Sequence, residues 1–115
     1  MNNRQLFLNH LAQTSPAPLA LEIVRSEGVY LYDTDDKKYL DVIAGISVSV
    51  LGHRHPVVVN AIKNQVDLYM HTLVYGEFVL SPQIKLVSLL TSLLPENLSS
   101  VYLVNSGSEA TEGAM

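Results

Sequence analysis

The residues best placed to do chemistry are Asn105-Ser106-Gly107-Ser108-Glu109-Ala110-Thr111-Glu112, in which two hydroxyls and a glycine stand directly ahead of helix-forming residues. Ser106 followed three places later by Glu109 has the spacing of a capping box, in which each side chain bonds the other's exposed backbone amide. Gly107 has no Cβ to keep a ligand off the backbone. The amides of Gly107, Ser108 and Glu109 are expected to point out of the helix start, where the helix dipole is positive. Together they form a seat for a phosphate, with no side-chain cation inside the turn. The pattern is not a P-loop, because no lysine follows at the G-x-x-x-x-G-K-[ST] spacing, and G-x-G-x-x-G does not occur. A capped and empty turn between strand and helix would carry the same residues.

An element must deliver this corner, and Val101-Tyr102-Leu103-Val104 reads as a short strand buried on both faces. Upstream, Ser81-Pro82 reads as a serine cap with proline at the first helical position. Leu86, Leu89, Leu90, Leu93 and Leu94 then give an apolar stripe that Pro95 ends. A further helix starts at Pro56 and repeats Val58, Ala61, Ile62, Val66 and Tyr69 at helical spacing, with one face to bury. Leu21–Val24, Val29–Tyr32 and Tyr39–Val42 are strand-like, joined by turn formers at Ser26-Glu27-Gly28 and Asp33–Lys38. Residues 4–12 fit either a short amphipathic helix or a frayed terminus, and Pro16-Ala17-Pro18 enforces an extended link.

Two clusters invite a metal. His53 and His55 stand two apart in a turn with no third ligand nearby, a poor zinc arrangement, and a structural role fits them better. Asp33-Thr34-Asp35-Asp36 lacks the glycine and distal glutamate of a calcium loop and reads as a solvated hairpin turn. Ala44–Leu51 is small and apolar, with Gly45, Ser47 and Ser49 interleaved. It suits either a pocket lining or an irregular core crossing.

Asn105–Met115 closely resembles the cofactor-phosphate turn of the class III aminotransferases, which use pyridoxal 5'-phosphate on the fold-type I scaffold. Two further stretches match in order: Gly28-Val29-Tyr30-Leu31-Tyr32-Asp33 with Tyr39-Leu40-Asp41, and Gly52-His53-Arg54-His55-Pro56. The resemblance implies an α/β fold, α+β within this stretch. It would comprise a small antiparallel sheet with helices over residues 1–75, then the first strand and helix of a cofactor-binding large domain over 76–115. It implies transfer of an amino group from an amino acid or ω-amine donor to a 2-oxo acid. Ser106, Gly107 and Ser108 carry over as cofactor-phosphate positions. Ile46 falls where the family places a substrate-pocket residue, a tyrosine in the ornithine enzymes, and Tyr75 lies in a passage the family uses near the active-site mouth. Asp36 stands where glycine is usual, a position that favours the left-handed backbone conformation. Lys37, Lys38, Lys63 and Lys85 do not match the motif of the cofactor-binding lysine. No catalytic residue carries over, and the stretch is expected to be inactive alone, like the opening quarter of such an enzyme.

The 115 residues allow one small domain, and 48% hydrophobic against 16% charged residues marks a globular chain. A net charge of −4 with scattered lysines and arginines argues against a nucleic-acid binder. The absence of cysteine suits a reducing cytosol, and no apolar run approaches membrane-spanning length. A buried strand at 101–104 would need neighbours, so a homo-oligomer (a dimer in the resembled family) or a larger assembly is expected. A non-catalytic structural or interaction domain, and a phosphate-binding module for another ligand, are the alternative readings.

Overall fold

The computed structural model describes residues 2–73 and 76–115, so Tyr75 lies outside the described residues. The chain divides into two compact units, Met1–Met70 and His71–Met115.

In the first unit, helix α1 (Asn3–His10) is started by Asn2. The Asn2 side chain accepts from the Gln5 amide at 2.9 Å, and Gln5 Oε1 accepts the Asn2 amide at 3.0 Å. This reciprocal cap satisfies two amides that a helix start leaves exposed. Strands β1 (Ile23–Glu27), β2 (Tyr30–Asp33) and β3 (Lys38–Leu40) form an antiparallel sheet in the order β1-β2-β3. β1 starts two residues later than its composition predicts and runs through Ser26 and Glu27, which were expected to turn. Its partner decides this: Glu27 pairs with Tyr30, leaving Gly28-Val29 as the corner, and Gly28 takes φ +56°.

The β2–β3 turn is built on Asp33. Its Oδ1 accepts the amides of Asp35 and Lys37 at 3.0 and 2.9 Å, and its Oδ2 accepts the Tyr39 hydroxyl at 2.7 Å. Asp36 takes the left-handed conformation at φ +58° and meets Arg25 at 2.6 Å, while the Arg25 guanidinium lies 3.3 Å from the Tyr32 ring centre. Both members of the ion pair are largely exposed, so it adds little stability.

After the sheet come the short turn α2 (Ala44–Ser47) and helix α3 (Pro56–Leu68), which has proline in its first turn as expected. The second unit contains α4 (Ser81–Leu93) and α5 (Gly107–Ala114). Ser81 proves to be the first helical residue rather than the cap, since Leu80 holds the cap position and no side chain bonds there. Val101–Val104 forms no strand, and Tyr102 is 87% exposed. A parallel strand exists only through ladders to its neighbours, and the described residues supply none.

No described residue is buried. The predicted faces of α3 and α4 are open: Val58, Ile62 and Val66 on one and Leu86, Leu89 and Leu93 on the other are exposed. A folded monomer of this mass exposes about 6,200 Å², whereas this chain exposes 10126 Å².

Candidate functional site

The α5 corner forms as its spacing predicts. Ser106 is the cap in extended conformation, and its Oγ accepts the Glu109 amide at 3.2 Å. Glu109 Oε2 in turn accepts the amides of Asn105 and Ser106 at 2.8 and 3.0 Å. The Glu109 amide is therefore occupied by the cap, contrary to expectation, because the same box that starts the helix uses it. Two amides, those of Gly107 and Ser108, keep no partner among the described residues, and nothing lies within 4 Å of where a Gly107 Cβ would stand. The corner is open and offers these two amides, the hydroxyl protons of Ser106 and Ser108, and the positive helix end. That donor set fits a phosphate group.

In the first unit, α2 is the strained feature. Its bonds are helical in pattern: Ser47 N donates to Ile43 O at 3.2 Å, and Val48 N to Ala44 O at 2.9 Å. Its backbone is left-handed, with φ +50° at Ala44, +62° at Gly45, +60° at Ile46 and +63° at Ser47. The left-handed form costs about 1–2 kcal/mol for each residue bearing a Cβ. Ile46, β-branched and the least suited of the four, is nonetheless 85% exposed. Strain of this kind persists only where surrounding bonds hold it.

The surrounding bonds converge on Asp41. Its Oδ1 accepts the amides of Ile43 and Ala44 at 3.1 and 2.9 Å, at the entry to the turn. Its Oδ2 lies 2.7 Å from His53 Nε2. A carboxylate only accepts, so the proton sits on Nε2. The His53 bond chiefly, then the Ala44 amide, holds the Asp41 carboxyl below the ordinary carboxylate range. His53 is itself fixed to the hairpin corner, its amide donating to Gly28 O at 2.7 Å and its carbonyl accepting from Gly28 N at 3.0 Å. Gly52, at φ +85°, permits this approach, since a Cβ there would stand 3.0 Å from Gly28 O. Asp41 and His53 were legible only as parts of a strand and a turn. Their pairing spans 12 residues without periodicity, so no local signal announces it.

Ile46 belongs to the first unit, and Ser106, Gly107 and Ser108 belong to the second. His55 sits at the cap of α3 with Nδ1 buried and unpartnered. Among the described residues no three histidine, aspartate or glutamate side chains are grouped to hold a metal.

Residues 11–115 match the family model described as aminotransferase class-III. The acetylornithine aminotransferase of Methanopyrus kandleri is 40% identical over 108 residues, covering 92% of this chain and 26% of that protein. The structure of an adenosylmethionine-8-amino-7-oxononanoate aminotransferase from Methanocaldococcus jannaschii superposes with a TM-score of 0.84 at 30% identity, over 96% of this chain and 26% of the other. A taurine:2-oxoglutarate aminotransferase from Bifidobacterium kashiwanohense, in complex with PLP and glutamate, matches at TM-score 0.76 and 26% identity, over 95% of this chain and 25% of its own. The chain belongs to the class III aminotransferases. It spans about a quarter of the length of these relatives.

Proposed function

We propose that this chain is part of a pyridoxal-phosphate-dependent enzyme that moves an amino group from an amino acid or ω-amine donor to a 2-oxo acid. The observation that carries the reading is the pair of unpartnered amides at Gly107 and Ser108, aimed from a capped helix start. In this reading Ser106, Gly107 and Ser108 hold the cofactor's phosphate, the hydroxyls donating beside the two amides. When bound, pyridoxal phosphate supplies the electron sink for chemistry at the donor's carbon. Glu109 serves the site indirectly, because its carboxylate keeps the Asn105 and Ser106 amides fixed.

Ile46 contacts the amino donor in this reading, where an aliphatic side chain favours a donor unlike ornithine, and Tyr75 is assigned to the substrate by the resemblance alone. None of Lys37, Lys38, Lys63 and Lys85 stands in the motif of a cofactor-binding lysine, so these 115 residues do not transfer amino groups by themselves. The open apolar faces of α3 and α4 support a homo-oligomeric or larger assembly that covers them. No helix among the described residues is long and apolar enough to cross a membrane. With no cysteine in the chain, we assign the enzyme to the cytoplasm.

The test is to express the complete reading frame and titrate it with pyridoxal phosphate, following the visible absorption of the lysine-bound cofactor. Amino transfer to 2-oxoglutarate is then measured across α-amino and ω-amino donors. Absorption and transfer together support the reading. A protein that takes up no cofactor and transfers no amino group ends it.

A further inference from the structure

The geometry points to Asp41 and His53 as positioning residues that set the enzyme's choice of amino donor by holding the left-handed turn Ala44–Ser47 in place beneath Ile46. The inference rests on the aminotransferase reading above and adds two residues of the first unit.

The Asp41 carboxylate is divided between two tasks. One oxygen receives the first two amides of the turn, and the other receives the His53 ring. His53 is held in turn by paired backbone bonds to Gly28, the corner of the hairpin that also contains Asp41's own anchor, Asp41 N to Val29 O at 2.9 Å. The turn and the His53 ring therefore meet at one carboxylate, while Gly28 and Val29 hold the backbones of His53 and Asp41, and the strained turn leaves from it. Ile46 stands at the centre of this turn, at φ +60°. A conformation that is costly and yet firmly bonded at its root is the kind of strain that clusters at ligand-binding and active sites. If the root loosens, Ile46 relaxes toward right-handed backbone and the donor loses its contact, while the phosphate seat is untouched.

The test uses the protein expressed from its complete reading frame and loaded with pyridoxal phosphate. His53→Gln is expected to raise KM for the preferred donor about tenfold with kcat changed far less, the signature of lost positioning rather than lost chemistry. Cofactor affinity and absorption stay at wild-type values. Preference between a short and a long donor is then compared in His53→Gln, Ile46→Ala and the double variant. If His53 acts through Ile46, the double variant has the preference of Ile46→Ala alone. Additive effects on preference, or a fall in kcat at unchanged KM, overturn the inference while leaving the aminotransferase intact. Should His53→Gln fail to fold, Asp41→Asn carries the same comparison, since it keeps an acceptor for the Ile43 and Ala44 amides. A wild-type protein that neither binds the cofactor nor transfers an amino group removes the function and this inference together.

Discussion

The His53 ring donates from Nε2 to the Asp41 carboxylate at 2.7 Å, with 18% and 9% of the two side chains exposed. This is the most enclosed acid–base contact among the described residues, and it ties the hairpin corner to a turn that holds Ala44, Ile46 and Ser47 in the left-handed conformation they disfavour. Three consequences can be measured, each in the protein expressed from its complete reading frame.

Gly52→Ala destabilises more than Gly28→Ala. Both glycines have positive φ, but a Cβ at Gly52 would stand 3.0 Å from Gly28 O, whereas one at Gly28 meets nothing within 4 Å. The expected losses are about 1–2 kcal/mol for Gly28→Ala, from backbone conformation alone, and more for Gly52→Ala. Denaturant midpoints of the two variants settle the order, and equal losses would remove the close approach at His53 as a constraint.

Ile46→Gly is expected to stabilise the fold while impairing donor binding. The substitution relieves about 1–2 kcal/mol of left-handed strain, against about 0.4–1 kcal/mol from the freer unfolded chain. Within these residues the side chain is 85% exposed. A raised unfolding midpoint with a raised donor KM is the result to look for. A lowered midpoint would mean that the side chain packs in the assembly for stability instead.

Acid loosens the sheet and the turn together. The Tyr39 hydroxyl chiefly, then the Lys37 and Asp35 amides, lowers the Asp33 carboxyl, as His53 chiefly lowers that of Asp41. An unfolded aspartate titrates near about 3.9. Both folded values lie below it, so the stability these bonds add is complete above that pH and is lost as pH falls through the folded values. In Asp41→Asn the part of the acid dependence that belongs to Asp41 should vanish. An unchanged pH dependence of unfolding between about pH 2 and 5 would contradict the assignment.

Local chemistry was legible and long-range chemistry was not. The Ser106–Glu109 box, the proline that opens α3 and the left-handed Asp36 are each decided within a few residues, and the structure holds all three. β1 lay two residues from its expected place because its register belongs to β2 and to Gly28. Val101–Val104 has the composition of a buried strand but forms none, because a strand is a property of a pair. The turn at Ala44–Ser47 contradicts the preferences of Ala44, Ile46 and Ser47 and is bonded at its entry by Asp41, so composition conceals it. The second half of the Asp41–His53 bond, 12 residues away, has no signature in sequence at all.

The phosphate seat is tested most directly by the affinity for pyridoxal phosphate compared with pyridoxal, in wild type and in Gly107→Val. The added side chain has open space, so the fold is undisturbed, but it stands over the amides of Gly107 and Ser108. Wild type is expected to prefer the phosphorylated form, and Gly107→Val to weaken its binding about tenfold or more with little effect on pyridoxal. Equal affinity for the two compounds, or a Gly107→Val variant that binds pyridoxal phosphate as wild type does, would contradict a phosphate held at this corner.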